Sequence, residues 1–497
     1  MKRALATALA ALCLCAACSR RPPEAPPAPA PPAPPPRAFD RSVVKIFVTS
    51  QNTDYFEPWK PGAQVQSEGC GTIVAGGRIL TTARLVARAD YIEVQRFEET
   101  AKSVARVEQV GFDTDLATLT VDDKDFFKGA QPVQFGDLPE RGDKLLVQGG
   151  DKLSIREDTV AAVGMVYSEE GARELPAVIT ASGADHASNG CPVFRLKDGK
   201  CVGLPFDASN KPDKTGALLP GNVIERFFRA TQNGQPYAGL PDLGFYTQDL
   251  ENPALRSSFK MPPGQGGEIV STVFTQGSAD GVLQVGDVLT SVDGHAVDNS
   301  GYVSLDGIGR MPEMYPLFFH LVGESVDLGL LRDGKPLTAK MPLKPASRLL
   351  PYREDLRRPS YFMAGGLVFV PLTDNYFSTA EWATFKPTLQ DLYFHGLPSP
   401  QRRQVVIISH VLPHMINKGY DKVKDAVVTA VNGRPITQLK DLVEAFRHPQ
   451  GAFHVIQIDD YHWAGSSVVL DAGSTPRATA EILKTFEIPS DRSADLD

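Results

Sequence analysis

Residues 69–84 read Gly69-Cys70-Gly71-Thr72-Ile73-Val74, then Ala75-Gly76-Gly77-Arg78, then Ile79-Leu80-Thr81-Thr82-Ala83-Arg84. Two short apolar stretches, rich in β-branched residues, enclose a glycine turn. Working outward, another apolar run opens at 43–47, and turn signals return at Gly149-Gly150 and at Lys197-Asp198-Gly199-Lys200. This cadence predicts a β-barrel or sandwich rather than alternating strands and helices. Val223, Ile224, Phe227 and Phe228 share one helical face, which predicts a short closing helix over 220–233.

The remainder carries a weak internal repeat. Ile269-Val270-Ser271-Thr272-Val273 precedes a second run that ends in Val292-Asp293-Gly294. Later, Val406-Ile407-Ile408-Ser409-His410-Val411 precedes a run ending in Val431-Asn432-Gly433. Each copy places a strand before a second strand and an Asp-Gly or Asn-Gly hairpin turn. Apolar spacing over 439–446 predicts a helix in the second copy.

At 497 residues the chain is long enough for about three domains. Its net charge of −8, with no basic stripe, argues against a general nucleic-acid binder. Lys2 and Arg3 precede an apolar run over 4–17, too short to span a bilayer but suited to a secretory signal. The run ends in Leu14-Cys15-Ala16-Ala17-Cys18-Ser19, which resembles a bacterial lipobox with Cys18 as the lipid attachment point. Residues 22–36 are nearly all proline and alanine, a polyproline II spacer of about 3.1 Å per residue. The expectation is an exported, periplasm-facing, lipid-anchored protein, and Ser19 after Cys18 points by analogy to the outer membrane.

Three segments together resemble the Deg/HtrA family of serine proteases, particularly its longer plant-like members with a diverged second PDZ domain. Residues 69–84 match the segment that ends in the catalytic histidine. Asp113-Thr114-Asp115-Leu116-Ala117-Thr118-Leu119 matches the segment with the catalytic aspartate. Ala187-Ser188-Asn189-Gly190-Cys191-Pro192-Val193-Phe194 matches the nucleophile loop. The resemblance implies a mainly β chain, a trypsin-like double β-barrel followed by two PDZ domains of partly open α+β barrel form. The divisions are 1–17 signal, 18–37 linker, 38–235 protease fold, 236–345 first PDZ, 346–474 second PDZ and 475–497 C-terminal extension, with 489–497 expected to be disordered.

Carried over by position, the family's histidine is Arg84, its aspartate Asp115 and its serine Asn189, and Ala187 replaces an oxyanion-hole glycine. A general base must be partly neutral near pH 7 and accept a proton, and a guanidinium does neither. An amide is no acyl-forming nucleophile. The first histidine in the chain, His186, follows Asp115, so the family's order of His, Asp, Ser is unavailable. His186 with Ser188 would be a non-standard dyad, one residue out of register. An ion pair between Arg84 and Asp115 is expected instead, holding the two half-barrels in register.

Cys13 and Cys15 leave with the signal. A two-residue Asp198-Gly199 turn would pair Leu196 with Cys201, which makes Cys191–Cys201 a poor disulfide. The family fold implies a Cys70–Cys191 bridge and a buried Cys201 thiol. No metal and no cofactor are expected; His410, His414 and His454 read as surface or satisfied core residues.

In the first PDZ copy, Leu243-Gly244-Phe245-Tyr246 would form the peptide-binding loop and strand edge. Residues 364–369 could play that part in the second copy, although long family members use it for contacts within an oligomer, and a trimer or larger assembly is implied. Three functional readings follow. The first is a membrane-tethered binding protein for unfolded or C-terminal peptide segments, or for a partner protein, with a scaffold, regulatory or chaperone-like role. The second is an endopeptidase using non-standard residues. The third is an architectural lipoprotein.

Overall fold

The computed structural model describes residues 41–96, 99–148, 155–183, 190–350, 358–459 and 466–497. Cys18, His186, Ala187, Ser188 and Asn189 lie outside them.

Six strands close the first barrel: Val43–Thr53, Pro61–Val74, Arg78–Thr81, Leu116–Val121, Lys102–Gly111 and Ala89–Arg96, in that spatial order. Alternation drives the closure. Val44, Ile46 and Val48 point inward and meet Ile73, Ile79, Ile92, Val94 and Leu119. The second barrel pairs Ile155–Ser168 with Lys144–Gln148, then Val193–Arg195, Cys201–Pro205, Gly216–Pro220 and Arg173–Thr180, and closes where Arg173–Thr180 returns to Ile155–Ser168. Phe194 sits opposite Cys201, with a backbone bond from Arg195 N–H to Lys200 O (2.8 Å), so the expected Leu196–Cys201 register is wrong. Gly199 adopts φ 69° and Arg195 binds the Asp198 carboxylate, which widens the turn beyond two residues.

The closing helix is Gly221–Ala230, with Val223, Ile224 and Phe227 buried as its spacing predicts. Arg226 on the same helix is also buried. Its guanidinium donates to the carbonyls of His320 (2.5 Å) and Gly239 (3.3 Å), tying the helix to the chain that follows. The next sheet orders Phe245–Asp249, Glu268–Val273, Val288–Val292, Ser325–Arg332 and Lys335–Pro342, with Phe245–Asp249 at its edge. Val163 and Met165 of the long barrel strand pack against its core.

The last sheet runs Phe362–Ala364, Leu367–Pro371, Val406–Val411, Ala426–Val431, Phe453–Asp459 and Ser467–Asp471. Its helix Leu439–Phe446 falls where the spacing predicts. The C-terminal stretch departs from expectation. Residues 475–485 form the helix Thr475–Thr485, and the tail after it is ordered rather than disordered. Ile488 and Leu496 are buried, Met363 N–H donates to Asp491 O (2.7 Å) and Tyr361 Oη to Ser490 O (3.0 Å). A few apolar side chains spaced among charges are enough to dock a segment that composition marks as solvated. Ile482, 1% exposed, belongs to the same core cluster as Met363, Val368 and Leu412. Ile482→Ala is expected to cost about 2–5 kcal/mol, read as a lower denaturant midpoint for this domain.

A loop of the first barrel reaches this last domain. Asp54 Oδ1 accepts from the N–H groups of Phe56 (2.8 Å) and Glu57 (2.9 Å), shaping the turn. Phe56 then stacks on His410 with ring centroids 4.1 Å apart, and Trp59 meets Tyr361 edge-on at 5.5 Å. His410 is therefore an interdomain contact. Burial lowers its pKa to about 4; Glu57 and Asp54 pull it up, and Lys424 and Lys60 push it down. A histidine held neutral in the fold stabilises fully above its unfolded value near 6.5, and that contribution fades as pH falls toward 4. Between pH 7 and pH 4.5 the wild-type chain should lose about 2 kcal/mol more stability than His410→Phe, measured by chemical unfolding at both pH values.

Candidate functional site

The catalytic-aspartate position is built by a local turn. The 3₁₀ turn Phe112–Thr114 ends at Asp115, which takes the left-handed conformation (φ 52°, ψ 37°). Its backbone carbonyl accepts from Ala83 N–H (3.1 Å) and its Oδ1 from Arg84 N–H (2.9 Å). Asp115 thus caps the short helix Ala83–Val86 from outside, which is why the two segments meet.

The Arg84 side chain points back over this turn. Its Nε lies 3.4 Å from Asp115 Oδ2, and its Nη1 donates to Asp207 Oδ2. The side chains of Arg84, Asp115 and Asp207 are 12%, 2% and 33% exposed, so the guanidinium is largely sealed between two carboxylates. The expected Arg84–Asp115 pair is present, but the role assigned to it is not. Both residues belong to the first barrel. The tie across barrels is Arg84 to Asp207, which follows the second-barrel strand Cys201–Pro205. Sequence reading missed Asp207, for it lies 123 residues from Arg84 in no motif.

Burial raises the Asp115 carboxyl to about 7, with Arg84 pulling it down and Glu170 and Asp207 pushing it up. Near neutral pH this carboxyl is shared between its two protonation states. Among residues 41–235 the sole histidine is His186. Among the described residues, no group of three or more His, Cys, Asp or Glu side chains is placed to hold a metal ion.

Beside this pair, Cys70 and Cys191 form a disulfide with Cα atoms 4.7 Å apart, joining the first barrel to the strand that follows the nucleophile loop. Gly190, at φ 75°, shows how tight this junction is. A Cβ there would lie 2.3 Å from Cys70 O and 2.4 Å from Thr81 Oγ1, so only glycine fits. Cys201 is a buried thiol in the same apolar cluster, its pKa pushed up to about 12 by burial.

Of the residues expected to form a peptide loop, Leu243 and Phe245 are buried in the core of the third sheet, while Tyr246 is exposed and packs edge-on against Phe274. The strand Phe245–Asp249 pairs with Glu268–Val273 along one side. The corresponding loop at 364–369 is wholly buried. Gly365 N–H donates to Thr479 Oγ1 (2.8 Å), Gly365 O accepts from Asn417 Nδ2 (2.7 Å), and Gly366 has Leu412 O and Asn417 against it. Thr479 of the helix Thr475–Thr485 and Asn417 thus occupy both sides of the Gly365 peptide unit.

A model for the trypsin-like peptidase domain matches residues 69–204, and a PDZ domain model matches residues 350–495. Among curated proteins the chain is similar to protease Do-like 2 of Arabidopsis thaliana, 31% identical over 465 residues, covering 92% of this chain and 76% of that one. It is also similar to the Arabidopsis putative mitochondrial protease Do-like 3, at 30% identity over 464 residues, covering 92% and 80%. Among solved structures, the HtrA-type protease AlgW with a tripeptide aligns with a TM-score of 0.46 at 20% identity, covering 62% of this chain and 97% of that one.

Proposed function

This chain belongs to the Do-like (Deg/HtrA) serine protease family, and from that premise we propose that it binds protein segments without cleaving them. The observation that carries the reading is Arg84. The guanidinium sits at the family's base position, pinned between Asp115 and Asp207. It has no lone pair to accept a hydroxyl proton. Asn189 at the serine position and Ala187 in the oxyanion loop, both read from the sequence, point the same way.

Binding is assigned to the third sheet, residues 236–345, taken as a first PDZ-type domain ahead of the matched one. Its edge strand Phe245–Asp249 suits strand addition, in which an extended segment gains main-chain hydrogen bonds. The closed loop at 364–369 leaves the second domain an architectural part. Export and a lipid anchor at Cys18, on the periplasmic face of the outer membrane, complete the proposal; the Cys70–Cys191 disulfide accords with an oxidising compartment.

Fluorescein-labelled unfolded casein tests all three readings. The expected result is a rise in anisotropy with the chain and intact casein after prolonged incubation. Fragments that vanish in Ser188→Ala would establish an enzyme, and an unchanged anisotropy would leave the architectural reading.

A further inference from the structure

The third sheet's peptide loop carries its own carboxylate. Gly244 takes φ 75°, and a Cβ on it would lie 2.6 Å from Ser278 N, so the loop depends on glycine. Its N–H is one of the amides that such a loop would offer to an anion. That N–H is already in use, donating to Asp242 Oδ1 at 2.8 Å.

Asp242 is fixed from several sides. Its backbone carbonyl accepts from Ser278 Oγ, which in turn accepts from Lys344 N–H (3.0 Å). Its Oδ2 lies 4.0 Å from Nη2 of Arg173 in the second barrel, and the same Nη2 donates to Pro241 O (3.2 Å). Asp242 also lines a cavity of about 640 Å³ whose walls include Arg173, Tyr246 and Phe274.

We propose that Asp242 acts as a built-in stand-in for a terminal carboxylate, so that the loop refuses free C termini and selects internal or end-blocked segments. A free terminal carboxylate would have to displace Asp242 from the Gly244 amide and then sit against its negative charge. An internal segment needs neither and can still pair along the Phe245–Asp249 edge. The inference rests on the peptide-binding reading above and narrows its ligand class.

The test immobilises the full chain and offers a mixed-sequence decapeptide library ending in an apolar residue, made once with a free C-terminal carboxylate and once amidated. Retained peptide is quantified by mass spectrometry. The wild-type chain should hold free-carboxylate peptides no better than amidated ones. Asp242→Gly should raise retention of the free-carboxylate set about tenfold relative to the amidated set. Asp242→Asn keeps an acceptor oxygen but removes the charge, and should give a smaller gain of the same sign; it serves where the glycine variant does not fold. A wild-type preference for free carboxylates overturns the proposal. So does a folded variant without a carboxylate-dependent gain. Failure of the amidated library to bind the wild-type chain counts separately against peptide binding itself.

Discussion

Arg84→Ala is expected to destabilise the protein increasingly above pH 7, by up to about 3–5 kcal/mol toward pH 9, because it removes the cation that lets the buried Asp115 ionise. Asp115 is 2% exposed, and Arg84 is the charge that holds its pKa down. The pH dependence gives the prediction its signature. Burial raises the folded pKa of Asp115 to about 7, well above the ordinary aspartate value of 3.8. A raised carboxyl stabilises most when protonated, and that contribution is lost as pH rises through 7. Without Arg84 the folded pKa climbs further. Near pH 5 Asp115 is neutral in both proteins, and the variant should suffer chiefly from the lost Asp207 contact and side-chain packing. From pH 7 upward the gap should widen by about 1.4 kcal/mol per pH unit until the variant's own pKa is reached. Urea unfolding of both proteins across pH 5 to 9 reads this directly. A gap independent of pH would mean that Arg84 and Asp115 are not coupled.

The second large effect is expected from the disulfide. Cys70 and Cys191 are separated by 121 residues, so the bridge removes much freedom from the unfolded chain. Loop-closure entropy puts this at up to about 5 kcal/mol. Cys191→Ser should therefore lower the denaturant midpoint strongly under oxidising conditions, and reductant should bring the wild-type protein down to the same value. Cys201 offers no substitute partner, since its thiol is buried and its pKa is pushed to about 12. If the wild-type midpoint ignores reductant, the bridge adds nothing to stability.

The legible parts of this chain are those that local chemistry decides. Asp293-Gly294 and Asn432-Gly433 announce hairpin turns because both central residues must adopt positive φ, and they do so at 52° and 80°, and at 51° and 75°. The helices Gly221–Ala230 and Leu439–Phe446 follow from apolar spacing. The disulfide was reachable only through family resemblance, since spacing alone does not say which backbones meet. What escaped reading was set by distant contacts. Asp207 meets Arg84 only once two barrels have closed. His410 is a mid-strand histidine until Phe56, far upstream, stacks on it. Asp242 reads as an ordinary turn acid, and its bond to Gly244 N–H emerges only when Ser278 and Arg173 fix its position. The tail misled for the opposite reason, because its charges face solvent while Ile482, Ile488 and Leu496 anchor it.

The most direct measurement is treatment of the purified full-length protein with a fluorophosphonate probe, with trypsin as positive control and intact-mass and peptide mass spectrometry as readout. With a guanidinium where a proton acceptor is required, no serine should be activated, and the chain should keep its unmodified mass while trypsin is labelled. A stoichiometric adduct on Ser188, abolished by Ser188→Ala or His186→Ala, would contradict the account and make this chain an enzyme.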